Sequence, residues 1–370
     1  MLGVELSGHA SVSADAMRQV DHVLASAYAG NRPGAAALVA VGDQVILRKG
    51  YGLSDLEHGT AMRPDRQFRI ASVSKQFTAV GVLQLAAAGR IHLDDDAARY
   101  APEFFAQMPG VHITIRQLLT HTSGLKNYSD LDEFRDQPTR TMSVDDLLGL
   151  VAHRGLRFPP GTGWEYSNTG YVLLAAIVQR VAGEPFGQYL QKQVIAPAGL
   201  KHTFAGGAQT GEGAGIAGYI PVIGEPGRFQ RAVPLNLSQA IGAGSLVSCV
   251  DDLWQWERAV EAGRVLPRSW VKEAQTPVAL QPRQSRAATN HLAFGDAEQP
   301  GTAPYGYGWE LETVSHHATI GHGGTLSGYR SFEFEVPDLG LFVAILCNCD
   351  RPLNDPVQVA AKMIAALERG

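Results

Sequence analysis

Cysteine is scarce in this chain: three residues in 370, at Cys249, Cys347 and Cys349. An odd, sparse set is not a disulfide framework. Cys347 and Cys349, two apart in an apparent strand, are badly placed to bond each other. A charge excess of either sign is also missing. The 31 Lys and Arg against 36 Asp and Glu leave a net charge of −5. No strongly basic run stands out, so neither nucleic acid nor an anionic membrane surface has an electrostatic counterpart here. The longest apolar runs, residues 171–178 and 339–347, are only about half the length of a membrane span. No basic stretch followed by an apolar one opens the chain, so as written it carries no secretory signal. The expected compartment is the cytoplasm, or the periplasm or exterior if a leader has been removed. Internal repeats, linkers and low-complexity tracts are absent as well.

What is there is an ordinary globular composition, 45% apolar and 18% charged with 41 Gly and 20 Pro. It is enough to bury a large core as one unit or two lobes. Residues 17–28 read as an amphipathic helix, with Val20, Val23, Leu24 and Ala27 on one stripe. Residues 35–41 and 44–49, parted by Gly42-Asp43, read as a hairpin. Residues 70–89 form a long apolar helix stopped by Gly89. From there to about residue 200 the pattern is mainly helical, and residues 171–181, apolar almost all round, predict a buried helix. Helices are again expected over 251–261 and 268–275. Strands are expected over 306–311, 318–321, 329–336 and 341–347, with a closing helix over 356–367. Strands near both ends and helices between them imply an α+β fold. One antiparallel sheet is built from both termini and flanked by terminal helices, with a helical lobe inserted. The sheet lobe would take about residues 1–71 plus 236–370, and the helical lobe about 72–235.

Three short motifs carry chemistry. Ser72-Val73-Ser74-Lys75 opens the long helix, and residues three apart share a helix face. An enclosed lysine loses solvation, its pKa falls, and it can take the serine proton. The helix N-terminus favours the developing alkoxide. Alone, a Ser and a Lys at this spacing are commonly just a solvated face. The second motif is Tyr166-Ser167-Asn168, delivered by the loop Pro159-Pro160-Gly161-Thr162-Gly163-Trp164-Glu165. In extended backbone Tyr166 and Asn168 point the same way and can line one wall, although Asn168 could merely cap the next helix. The third is His322-Gly323-Gly324-Thr325 at the end of an expected strand, where glycines allow close backbone approach. On its own it could be a plain turn.

In this order and spacing the three motifs resemble the penicillin-recognising serine hydrolases, the superfamily of class C β-lactamases, DD-carboxypeptidases, D-aminopeptidases and related carboxylesterases. Its signature is S-x-x-K, then Y-x-N, then K/H/W-x-G. Flanking stretches are similar too: Phe68-Arg69-Ile70-Ala71, residues 118–125 (LLTHTSGL) and residues 305–309 (YGYGW). The resemblance spans about residues 30–365. It implies the β-lactamase/transpeptidase-like fold and an acyl-enzyme on Ser72, with no cofactor. Lys75 would accept or orient the serine proton. Tyr166 would pass it to the leaving group, as phenolate or through Lys75. Asn168 would bond substrate and hold Lys75. The backbone N–H groups of Ser72 and Thr325 would form an oxyanion hole beside Gly323 and Gly324, and Tyr128 aligns with a substrate-wall position. His322 stands where classical β-lactamases carry lysine. An imidazole titrating near neutrality would grip a substrate carboxylate less well than an ammonium, and better as pH falls.

The remaining features have bland readings. Gly213-Ala214-Gly215-Ile216-Ala217-Gly218 matches a dinucleotide-binding string, but no strand precedes it and no helix opens after it. A loop, with the site beneath it, is the better reading. His316, His317 and His322 are not backed by an H-E-x-x-H or a Cys/His cluster, so no metal is expected. Asp94-Asp95-Asp96 reads as a solvated turn capping a helix. The absence of G-x-S-x-G argues against an ordinary α/β-hydrolase. The expected function is a serine hydrolase acting on a small-molecule ester, amide or D-amino-acid peptide. A β-lactamase is the alternative, and a non-catalytic β-lactam- or peptide-binding sensor is the alternative of another class. Oligomeric state is not legible.

Overall fold

The structure, a computed structural model, describes residues 12–206, 216–280 and 302–369. Its frame is a six-stranded antiparallel sheet of β1 (Ala35–Val41), β2 (Gln44–Tyr51), β3 (Glu310–Val314), β4 (His317–Leu326), β5 (Tyr329–Val336) and β6 (Leu341–Cys347). The strand order is β3-β4-β5-β6-β1-β2. The first and last parts of the chain meet at the β6–β1 pair, where Ala35 lies opposite Cys347 and Val41 opposite Leu341. This is the expected sheet built from both termini.

Both faces of the central strands are buried, which is why they read as continuous apolar runs. On one face Ala35, Ala37, Val39, Val343 and Ile345 pack under α1 (Ala14–Tyr28) and the terminal helix Pro356–Arg369, through Val20, Leu24, Val359 and Met363. On the other, Ala36, Leu38, Phe342 and Leu346 join a larger cluster that continues into the helical part of the chain. Side-chain alternation along the strands separates the two clusters. Phe332 and Phe334 go to the terminal-helix face, so Glu333 and Glu335 go to the other.

Three more helices set the site. In chain order they are α2 (Ser74–Ala87), α3 (Asn168–Ala182) and α4 (Val250–Glu261), so the terminal helix becomes α5. α2 is buried all round, and even Gln76 and Thr78 are enclosed. Their polar groups are matched: Gln76 Nε2 donates to Glu333 Oε1 (2.5 Å), and Trp256 Nε1 donates to Gln76 Oε1 (2.8 Å). α3 packs beside α2 and stops at Gly183, whose φ of +75° suits a glycine cap.

Several elements run past the expected bounds. β4 extends to Leu326, five residues beyond the expected Gly321, because β5 pairs with it out to Leu326–Tyr329. The strand expected over 306–311 starts instead at Glu310. Gly306 and Gly308 lie ahead of it, folded against Ala274 O and Lys75 O so closely that a Cβ would stand 1.9 and 2.9 Å from them. All three cysteines are free and buried. Residues 213–215 of the glycine-rich string lie outside the described residues, and Gly218 runs into the short strand Tyr219–Pro221. Among the described residues no helix is long and apolar enough to cross a membrane.

Candidate active site

Ser72 sits in a one-turn 3-10 helix, Ala71–Val73, directly ahead of α2. Ala71 has φ +49°, a left-handed conformation that costs a non-glycine residue on the order of 1 kcal/mol or more. The strained turn is held from outside. Ile70 N–H donates to Leu246 O (3.0 Å), and Ser74 Oγ accepts from Leu246 N–H (3.1 Å). Ser74 is thereby committed to the scaffold and Ser72 is left to the cavity.

Lys75, one turn on, is completely buried. Its Nζ lies 3.1 Å from Ser72 Oγ, 2.8 Å from Asn168 Oδ1 and 2.8 Å from the Ala243 carbonyl. Burial drives its pKa well below the ordinary lysine value, with the Glu310 carboxylate pulling the other way. In the neutral amine two hydrogens remain. The two carbonyl oxygens can only accept, so they take both. The lone pair is left facing the serine hydroxyl.

Asn168 begins α3. Its Nδ2 donates to Ser129 Oγ (3.0 Å) and its backbone N–H to Asn127 Oδ1 (3.1 Å). Those contacts fix which end of the amide meets Lys75. Tyr128, between these partners, is buried and donates its hydroxyl to Gln239 O (2.6 Å). It therefore offers the cavity a ring, not a hydroxyl.

Tyr166 arrives on the Pro/Gly loop, which is zipped to the LLTHTSGL stretch. Gly161 N–H donates to Thr122 O (2.8 Å), Glu165 N–H to His121 O (3.1 Å) and Arg157 N–H to Gly124 O (2.8 Å). Gly124 has φ +73°, and a Cβ there would fall 2.1 Å from Phe158 O. The Tyr166 phenol is held well above its usual pKa by burial, against the downward pull of its hydrogen bond with Ser72. It is therefore protonated at rest. Lys75 Nζ lies 4.7 Å from its ring centroid.

His322 and Gly324 lie on the β4 face turned toward α2, and Gly323 on the other. Gly324 is where the strand touches the Ser72 turn: a Cβ would stand 2.8 Å from Ser72 N, 2.6 Å from Ile70 O and 2.5 Å from Ser331 Oγ. Gly323 N–H donates to Glu310 Oε2 (2.9 Å). Residues two apart send their N–H groups to the same strand edge, so Thr325 N–H points to that edge too. β3 ends its pairing at Gly321, which leaves the edge beyond it to the cavity.

The expectation that His322 titrates near neutrality is corrected. Its ring is fully enclosed. Nδ1 lies 2.5 Å from Gly323 O and must donate to it. Nε2 is then the acceptor for the Tyr305 hydroxyl at 2.9 Å. Burial, with Lys75 adding to it, pushes its pKa down to about 3. With both nitrogens engaged, and the Glu310 carboxylate 3.5 Å from Nδ1, the ring is poorly placed to act as a titrating anion receptor.

Sequence reasoning quoted the stretches holding Tyr305, His121 and Glu310 or its neighbours without giving these residues roles. Tyr305 is the partner of His322. Glu310, its pKa pushed up to about 7 by burial, clamps the backbone of β4. His121 has φ +59° and accepts the Ser167 N–H at Nδ1 (3.2 Å). Its ring lies against Tyr166 (centroids 4.3 Å apart) and Tyr305 (4.6 Å). A histidine in left-handed backbone leaves no periodicity signal, and Glu310 looked like a plain strand residue.

Ser72, Tyr128, Asn168 and Thr325 line one cavity of about 300 Å³. A larger cleft of about 670 Å³ lies elsewhere, between residues such as Tyr100, Asp145 and Arg180. It touches none of the Ser72 group, so the candidate site is the smaller cavity. The three histidines do not converge: His317 pairs with Asp338 (2.6 Å) and Glu368 (2.9 Å) at the surface. Among the described residues the only acid or histidine group close enough to share a cation is Glu257, Glu261 and Glu335, where α4 meets β5.

The beta-lactamase family description matches residues 16–368. The chain belongs to the beta-lactamase family. Protein flp of Staphylococcus aureus (strain MW2) is 28% identical over 344 residues, covering 90% of this chain and 63% of that one. The chain thus spans less than two thirds of the length of that curated relative. Among solved structures, a D-stereospecific amidohydrolase from Streptomyces sp. superposes with TM-score 0.74 at 28% identity, over 95% of this chain and 98% of that one. The D-amino acid amidase of Ochrobactrum anthropi SV3, at 23% identity, shares the fold with TM-score 0.79 over 96% and 99% of the two chains. Family and fold are those of the penicillin-recognising serine hydrolases.

Proposed function

We propose that this protein is a serine hydrolase working through a covalent acyl-enzyme on Ser72, with small esters and amides, D-aminoacyl amides among them, as substrates. The observation that carries the reading is the three-way placement of Lys75 Nζ, whose lone pair is left for Ser72 Oγ. Lys75 takes the serine proton as Oγ attacks the acyl carbonyl. The Ser72 and Thr325 N–H groups receive the oxyanion, each such donor being worth ~3 kcal/mol in the transition state. The ammonium then returns the proton through Tyr166 to the leaving alkoxide or amine, and water repeats the sequence to free Ser72. The raised pKa of Tyr166 favours Lys75 as the resting base over a phenolate. Asn168 is the residue that orients Lys75. No step calls for a cofactor.

The test is a hydrolysis panel of short-chain aryl esters, D- and L-aminoacyl amides and nitrocefin, read together with intact protein mass. Turnover of esters or amides with a transient acyl adduct supports the reading. A stable adduct with no turnover would make the protein a sensor instead, and preferential hydrolysis of nitrocefin would make it a β-lactamase.

A further inference from the structure

Asp350 lies on the wall of the Ser72 cavity, together with Thr325, Leu326 and Ser327. It follows β6, and its backbone is firmly placed. The preceding Asn348 is fully buried. It accepts from Gly34 N–H at 2.7 Å and donates to Ala217 O at 2.9 Å and to Leu53 O and Ser54 O at 3.2 Å. The Asp350 side chain is only 14% exposed; burial raises its pKa, the backbone N–H groups of Arg351 and Gly328 bond its carboxylate, and its Oδ1 is buried with no hydrogen-bond partner among the described residues. The nearest cation, Arg351 Nε, stands 3.8 Å away on a side chain that is mostly in solvent. Arg330, on the neighbouring strand, donates to Thr325 Oγ1 (3.0 Å) at the cavity wall and stands 3.8 Å from Asp355.

Among the described residues lining this cavity, Asp350 is the only one with a charged side chain. Lys75, beneath the floor, is driven toward its neutral form, and His322 is neutral. The ionisable side chain on the cavity wall itself is thus the Asp350 carboxylate, with the Arg330 guanidinium standing behind Thr325. A partly desolvated carboxylate with an unmatched oxygen gains most from a cation that brings its own N–H donors.

We infer that Asp350 is a specificity-determining residue that receives an ammonium group on the acyl part of the substrate, so that the preferred substrates are amides or esters of amino acids with a free amino group. This rests on the Ser72 acyl-enzyme reading for its chemistry but not for its binding. The same carboxylate disfavours acyl groups that carry a carboxylate at this position, penicillins included.

The experiment compares D- and L-alanine p-nitroanilide with their N-acetyl counterparts, in wild type, Asp350→Asn and Asp350→Glu. Wild type should prefer the free amine in kcat/KM by about 10- to 100-fold, the range of one charge-assisted hydrogen bond. In Asp350→Asn the ratio should collapse toward one, and Asp350→Glu should restore part of it. A ratio that survives in Asp350→Asn, or is absent from wild type, overturns the inference. Calorimetric binding of D-alaninamide and N-acetyl-D-alaninamide to Ser72→Ala, with and without Asp350→Asn, decides the same point without turnover. An amine preference that disappears with Asp350 upholds the inference even if Ser72 is never acylated. Equal binding of the two probes sinks it even if Ser72 is acylated by neutral esters.

Discussion

Lys75 Nζ faces Ser72 Oγ at 3.1 Å with its other two directions closed by the carbonyls of Asn168 and Ala243. On the proposed mechanism this arrangement suits Lys75 to act as the base. Replacing it by alanine should slow acylation by about 10²–10⁴-fold, the usual cost of losing a general base. Stopped-flow release of p-nitrophenol from an aryl ester measures it directly.

The charge that opposes this base is Glu310. Its carboxylate stabilises the Lys75 ammonium and so raises the lysine pKa against the larger effect of burial. Glu310→Gln keeps an acceptor for Gly323 N–H but removes the charge. Glu310 itself is pushed up to about 7, so above that pH, where it is ionised, its loss should lower the Lys75 pKa and move that part of the acidic limb of the kcat/KM profile for a neutral ester to lower pH. A limb that moves up, or does not move, would mean that another group sets it.

His322 should leave no inflection between pH 5 and 8, because burial holds its pKa near 3. His322→Gln can still accept from Tyr305 and should keep more activity than His322→Lys, which puts a second ammonium into the space beside Lys75. Profiles of kcat/KM against pH for one neutral and one carboxylate-bearing substrate check this. A selective gain for the carboxylate substrate in His322→Lys would contradict it.

Gly324 and Ser74 separate positioning from chemistry. Gly324→Ala places a Cβ 2.8 Å from Ser72 N and should cost at least ~10²-fold in kcat through the displaced oxyanion donor. Ser74→Ala deletes only the acceptor for Leu246 N–H. It should lower the melting temperature, by roughly 1–3 kcal/mol of stability for a buried orphan donor, while turnover stays within a few-fold of wild type.

Glu333 gives a stability prediction with a definite sign. Burial pushes its pKa up to about 8, far above that of an unfolded glutamate. Between those values the unfolded chain releases a proton that the folded one keeps, so stability falls as pH rises from about 4.5 to about 8. Glu333→Gln removes that dependence. Its melting temperature should exceed that of wild type more at pH 8 than at pH 5.

Much of this was legible in the chain itself. The partial alternation in residues 329–336 and the continuous apolar run in 341–347 placed two strands to the residue, and the three motifs pointed to Ser72, Lys75, Tyr166, Asn168 and His322. What was hidden has physical causes. The left-handed turns at Ala71 and His121 are imposed by their surroundings, not by their own propensities. The protonation of His322 follows from complete enclosure and from Tyr305, seventeen residues away, which no local pattern reports. Asp350 stands in the turn after an apolar strand, where a carboxylate reads as ordinary punctuation. Only the fold brings it to the wall of the cavity that Ser72 also lines.

The central claim is that Ser72 becomes acylated, and mass spectrometry tests it most directly. Wild type, Ser72→Ala and Ser74→Ala are mixed with p-nitrophenyl butyrate, quenched in acid within the first turnover, weighed intact and mapped by peptide fragmentation. One butyryl group on Ser72 is predicted in wild type and in Ser74→Ala, and none in Ser72→Ala, which should also lose turnover. An adduct on any other residue, or near wild-type hydrolysis by Ser72→Ala, would contradict the account.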